Sequence, residues 1–141
     1  MSIEFIRESN RIEGIVRAPT DEEIAEFHRF MALREVTVQE LEHFVEVYQP
    51  GAQLRDKEGM NVRVGKYRPV SGGPVVRTRL EEILVLATAW GPYLTHLNYE
   101  LLHPFMDGNG RSGRMLWAWQ MRYFPLGFLH HFYYQTLMSA E

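Results

Sequence analysis

Apolar positions recur at helical spacing along most of this chain and lose that period only between residues 50 and 78. Ile3, Phe5, Ile6, Ile12 and Ile15 stand among charged residues, which predicts a short amphipathic helix stopping near Gly14. Thr20-Asp-Glu-Glu23 reads as a capping box opening a helix to about Leu33, with Ile24, Phe27, Phe30 and Met31 on its inner face. Thr37-Val-Gln-Glu40 opens a second such helix, closed after Tyr48 by Gln49-Pro50-Gly51. Thr78-Arg-Leu-Glu81 reads as a third capping box, and the nearly continuous apolar run EEILVLATAW behind it predicts a buried helix. Gly91-Pro92 breaks that helix, and PYLTHLNYELL carries a new one into His103. From Arg111, RSGRMLWAWQMRY reads as a helix with Met115, Leu116, Trp117 and Trp119 in the core. Phe124-Pro125-Leu126-Gly127 ends it, and FLHHFYYQTLMSA predicts a last helix. In the aperiodic stretch, Val62 to Val70, then Ser71-Gly72-Gly73-Pro74, then Val75-Val76-Arg77 read as a β-hairpin.

With 141 residues, 45% hydrophobic and 23% charged, the chain is expected to form one globular domain over 1–141. A net charge of −3 speaks against a general nucleic-acid binder. The absence of cysteine excludes disulfides and thiolate zinc sites, and fits a cytoplasmic protein. The charged N-terminus has no apolar core of a signal peptide, and no run of about 18 apolar residues predicts a membrane span. His28, His43 and His96 read as structural histidines, and the adjacent His130 and His131 point to different helix faces and make a poor metal pair.

The chemistry concentrates in HPFMDGNGRSGR, His103 to Arg114. A glycine-rich loop feeding a helix start leaves backbone N–H groups and the positive end of the helix dipole open to an anion. Arg111 and Arg114, three apart, add positive charge on one face of the first turn. Asp107 beside such a site calls for a divalent cation, because Mg²⁺ commonly binds through one carboxylate plus substrate phosphates. His103 is the group able to exchange a proton near neutral pH. The residues by themselves describe a Mg-nucleotide phosphate cradle with a general base at its rim.

HPFMDGNGRSGR resembles the signature of the Fic family, H-x-F-x-[D/E]-G-N-G-R-x-x-R, at every fixed position. The resemblance implies a mainly α, Fic-type helical bundle of about six to eight helices with a small β-hairpin flap at about 62–77. It implies transfer of AMP from ATP, with Mg²⁺, to a Ser, Thr or Tyr hydroxyl of a target protein, the chain itself being one candidate acceptor. Carried over residue by residue, His103 is the base, Asp107 the Mg²⁺ ligand and Phe105 the apolar anchor. Asn109, with the N–H groups around Gly108 and Gly110, forms the α-phosphate's anion hole. Arg111 holds the phosphate tail, Gly113 belongs to the same nucleotide-binding set, and Arg114 binds the γ-phosphate. SNRIEG, with Ser9, Glu13 and Gly14, resembles the family's inhibitory helix motif [S/T]-x-x-x-E-[G/N], so residues 1–16 are expected to hold Glu13 on Arg114. Gly65-Lys66-Tyr67-Arg68 resembles the start of the flap that holds the target segment by strand pairing. The same site could serve UMP transfer or, with Glu13 orienting a water, removal of AMP. The phosphotransferase branch has a lysine where this chain has Gly110 and is disfavoured. A non-catalytic regulatory module is the reading from another class, and the intact signature weighs against it.

Overall fold

The computed structural model describes residues 2–122. Five helices follow one another: α1 Ser2–Ile12, α2 Asp21–Met31, α3 Val38–Tyr48, α4 Pro74–Leu102 and α5 Asn109–Met121. The expected break near Phe124 and the last helix, with its His130-His131 and Tyr133-Tyr134 pairs, lie outside the described residues.

Helix α5 is the central element, touching each of the other four. Residues 111–116 are therefore all buried, and α5 carries no polar stripe of the kind a surface helix shows. One apolar core runs through all five helices: Phe5 and Ile6 from α1, Phe27 and Phe30 from α2, Leu41, Phe44 and Tyr48 from α3, with Leu80, Tyr99, Met115 and Leu116 from α4 and α5. Local signals start the first helices. Thr20 accepts from the Glu23 N–H while the Glu23 carboxylate accepts from the Thr20 N–H, a complete capping box. Thr37 caps α3 through the Glu40 N–H.

Helix α1 ends in a Schellman motif: Ile15 N–H donates to Asn10 O, Gly14 N–H to Arg11 O, and Gly14 sits at φ +78°. A Cβ at Gly14 would meet nothing within 4 Å, so glycine is needed there for its left-handed backbone and not for space. The motif stops the helix directly beside Glu13.

Three expectations change. Helix α4 starts at Pro74, in the N1 position that favours proline, and not at a Thr78 cap. Thr78 lies inside the first turns, its hydroxyl donating to Pro74 O. The apolar run behind it is buried on one face only, since Val85 is 81% exposed. The helix does break at Gly91 (φ 81°, ψ 169°), where Thr95 Oγ1 caps the Gly91 carbonyl, before continuing to Leu102.

The hairpin flap over 62–77 is not formed. What remains is one antiparallel bridge, Val64↔Tyr67, closed by two 2.9 Å backbone bonds around Gly65 and Lys66. Pro74 turns the would-be return strand into the start of α4. The rest of the loop is held by side chains: Asn61 Oδ1 accepts from the Gly72 N–H, and Arg55 reaches the carbonyls of Met60 and Val70. Gly72 passes so close to the Met60 and Lys57 carbonyls that a Cβ there would lie 2.4 and 2.7 Å from their oxygens. Among the described residues the count is five helices and no sheet, fewer elements than the six to eight helices plus flap expected.

Candidate active site

The segment entering α5 is shaped mainly by bonds to its own backbone. His103 ends α4 in the left-handed conformation (φ 52°, ψ 62°), its N–H bonded to Tyr99 O. A non-glycine residue there is strained. Arg55, fully buried, offsets that strain: its guanidinium donates to the carbonyls of His103 (2.7 Å), Leu102 (2.9 Å), Met60 (3.0 Å) and Val70 (2.8 Å). Beyond His103 the chain runs antiparallel to residues 53–55, through the Leu54↔Phe105 bridge and the bonds Arg55 N–H to Pro104 O and Met106 N–H to Gln53 O. Phe105 is buried, as an anchor should be. Asn109 then clamps the turn with its side-chain amide, which accepts from the Phe105 N–H and donates to the Phe105 O, both at 2.8 Å. Its amide is thus committed to the loop itself, and the groups left facing an anion are backbone ones. Gly108, at φ 80°, caps α5 with no side chain, and the first helical bond is Ser112 N–H to Gly108 O, so the N–H groups of residues 109–111 precede the ladder.

Arg111 is buried against the end of α3. It donates to Tyr48 O (2.9 Å) and to the Gln49 side chain, with its guanidinium 5.9 Å from the Tyr48 ring centre. Its Nε–H is buried without a partner, an orphan donor at the helix start. Asp107 is exposed, one carboxylate oxygen accepting from the Gly108 N–H. Among the described residues no group of three or more His, Cys, Asp or Glu could hold a metal. A single exposed carboxylate at a helix N-terminus suits Mg²⁺, which takes its remaining ligands from phosphate and water.

Arg114 is where the end of α1 meets α5. Its Nε–H donates to Ser9 Oγ (2.8 Å), and Nη2 donates to Ser9 O (3.0 Å) and to Glu13 Oε2 (2.6 Å). The arginine is almost entirely buried, whereas the Glu13 side chain is 38% exposed. Ser9 and Glu13 stand one helical turn apart and reach Arg114 from the same face of the α1 end. Gly110 makes the approach feasible, since a Cβ there would fall 2.4 Å from Glu13 Oε2. Gly113 does the same for Glu100, whose Oε1 would lie 2.3 Å from an added Cβ. Both glycines therefore leave room for carboxylates, a reason that a reading based on backbone amides alone does not contain.

His103 is partly buried, and desolvation followed by the nearby Arg55 charge holds its imidazole below the usual histidine range; the Glu100 carbonyl, Asp107 and Glu13 pull the other way. A neutral imidazole at neutral pH is the form a proton acceptor needs.

The structure brings His103, Asp107, Asn109, Arg111, Arg114, Ser9 and Glu13 to one end of α5. Gly65, Lys66 and Arg68 stay exposed on the loop above α4, and Tyr67 anchors that loop through its hydroxyl to Leu101 O (2.7 Å). His96 is buried, with Nδ1 3.1 Å from Gly113 O, and His43 pairs with Glu26, both in structural surroundings. Sequence reasoning passed over Arg55 and Glu100. Arg55 carried no local signal, whereas Glu100 lies three residues before His103, and that helical spacing could have flagged it.

A helical bundle here carries a glycine-rich loop, two buried arginines and a histidine held below its usual range at one end of α5. The chain matches the sequence profile described as the Fic/DOC family over residues 18–121, more than half its length, and it belongs to that family. The match begins after α1 and Glu13, so the N-terminal helix lies outside it. No curated protein and no solved structure gave a match. Among the described residues no helix is long and apolar enough to cross a membrane.

Proposed function

We propose that this chain is an autoinhibited protein adenylyltransferase that uses ATP and Mg²⁺. The observation that carries the reading is the chain's own Glu13 carboxylate seated on buried Arg114 at the mouth of the glycine cradle, where an anionic phosphate would otherwise bind. The hydroxyl oxygen of a target side chain attacks the α-phosphorus of ATP, the bond to the bridging β-phosphate oxygen breaks, and pyrophosphate leaves. The hydroxyl proton passes to the neutral imidazole of His103. Asp107 would hold Mg²⁺, which would supply charge neutralisation for the phosphates when bound. The open N–H groups at the start of α5 and the orphan Arg111 Nε–H receive phosphate oxygens, and Arg114 takes the γ-phosphate once Glu13 leaves. No covalent enzyme intermediate is needed, because positioning and charge suffice.

The test is autoAMPylation with labelled ATP. Glu13→Gly is expected to label strongly and His103→Ala not at all; equal labelling of wild type and Glu13→Gly would sink autoinhibition. Because His103 is held below the ordinary imidazole range, activity of Glu13→Gly should persist on the acid side past the point where a free histidine protonates. The partial exposure of Glu13 leaves it able to orient a water, so the same proteins incubated with an AMP-bearing target test AMP removal as the second reading.

A further inference from the structure

Glu100 is an acid the proposed chemistry does not use. It lies on α4 one turn before His103 and packs over Gly113, and its Oε1 is buried without a hydrogen-bond partner. His96, one turn earlier on the same helix, places Nε2 3.9 Å from that oxygen. The Gly113 carbonyl can only accept, so the His96 Nδ1 facing it at 3.1 Å carries the hydrogen. In the neutral ring Nε2 then turns a lone pair toward Glu100, an arrangement that repels a carboxylate and accommodates a carboxylic acid. From α5, Arg114 attracts a negative charge on Glu100, and Glu13 beyond α1 repels it. Of the other titratable neighbours, Tyr99 has its hydroxyl bonded to Ser112, and His103 faces the Glu100 backbone carbonyl. Arg114 therefore stands among two acids, Glu13 on one glycine and Glu100 on the next.

We propose that Glu100 is a proton gate on the anion site of Arg114. With its proton it leaves Arg114 free for a polyphosphate after Glu13 departs, and without it a second carboxylate competes with that phosphate. Burial, tempered by Arg114 and reinforced by Glu13, pushes its carboxyl up to about 8, so the gate changes state just above neutral pH. Removing the Glu13 charge takes away one upward influence, so departure of the inhibitory glutamate itself moves the gate toward its ionised, closed state. Arrival of a phosphate, itself negative, moves it back and draws in a proton.

The ligand assignment rests on the adenylyltransferase reading, and two measurements keep the two apart. Infrared difference spectra of wild type against Glu100→Gln should show a protonated-carboxyl C=O band at pH 6.5. That band should fade on titration through about pH 8, and at lower pH in Glu13→Gly. Its absence at pH 6.5 would mean a Glu100–His96 ion pair and overturn the gate. Calorimetric titration of MgATP into Glu13→Gly should then lose affinity, relative to Glu13→Gly/Glu100→Gln, by about tenfold per pH unit once Glu100 ionises. Buffers of different ionisation enthalpy should reveal proton uptake only in the single variant. Parallel pH curves for the two proteins overturn the gate while leaving the nucleotide reading standing. Failure of both proteins to bind MgATP at pH 6.5 overturns the nucleotide reading and removes the gate's ligand with it.

Discussion

Residues 103–114 and helix α1 meet at Arg114, and they are held in different ways. The loop is built from the inside: Asn109 closes on Phe105, Ser112 Oγ donates to Gly108 O (2.8 Å), and Arg55 satisfies the carbonyls of residues 102 and 103. Little of that network depends on α1. The N-terminal helix is an added element, held by Phe5 and Ile6 in the core, by Asn10 and Arg17 reaching Glu23 on α2, and by the Ser9 and Glu13 contacts to Arg114. A site whose cradle is stable by itself can be covered and uncovered without being rebuilt. In the proposed autoinhibition the cover is a carboxylate, so a ligand that displaces it is expected to offer Arg114 a comparable negative charge.

The largest break in this comparison should come from Arg55→Met. It strips one buried and three partly buried carbonyls of their donor, which at a desolvation cost of about 1–3 kcal/mol for a buried group amounts to about 3 kcal/mol or more overall. Chemical denaturation should register that loss, and His103-dependent labelling should vanish even in the Glu13→Gly background. An Arg55→Met protein as stable as wild type would mean that the loop is not held from within. Next comes Glu13→Gly itself. Removing a charge-assisted bond of about 2–3 kcal/mol should raise autoAMPylation roughly 30- to 150-fold, with little change in the denaturation midpoint of the core.

Glu100→Gln should act on stability in a pH-dependent way. Burial pushes its carboxyl in the folded chain up to about 8, above the ordinary 4.5. Below pH 4.5 both folded and unfolded chains hold the proton, and no penalty arises. Between the two values only the folded chain keeps it, so wild-type stability falls as pH rises and levels off above about 8. Glutamine does not titrate. Its advantage should therefore be small at pH 4.5 and grow by about 1.4 kcal/mol per pH unit, to at most about 5 kcal/mol by pH 8, read from thermal midpoints. A pH-independent difference would remove the buried acid from the account. The smallest effect belongs to Arg17→Ala, which loses a partly exposed pair to Glu23. It should cost about 0.5–1 kcal/mol and raise labelling only a few-fold, by loosening the turn behind α1.

Much of this was legible before any fold was known. The caps at Thr20 and Thr37, the stop at Gly14 and the break at Gly91-Pro92 depend on residues within five positions of one another, which is the range over which helix-end hydrogen bonds are decided. The signature was equally plain, because glycines, arginines and a histidine at fixed spacing state their chemistry without a partner. The hairpin misled because β-branched residues and a glycine turn describe strand preference, while pairing needs a return strand, and Pro74 had given those residues to α4.

The sequence by itself determined the caps that open α2 and α3, the stop that closes α1 and the glycine-rich segment that opens α5. The Glu13–Arg114 contact across 101 positions was expected from the family resemblance; only the tertiary structure decided that Asn109 commits its amide to Phe105 and that Arg55 gathers carbonyls from residues 60, 70, 102 and 103. The physical reason is the same for each. A buried guanidinium or carboxylate must find partners wherever the packed chain puts them. No local period records where those partners will be.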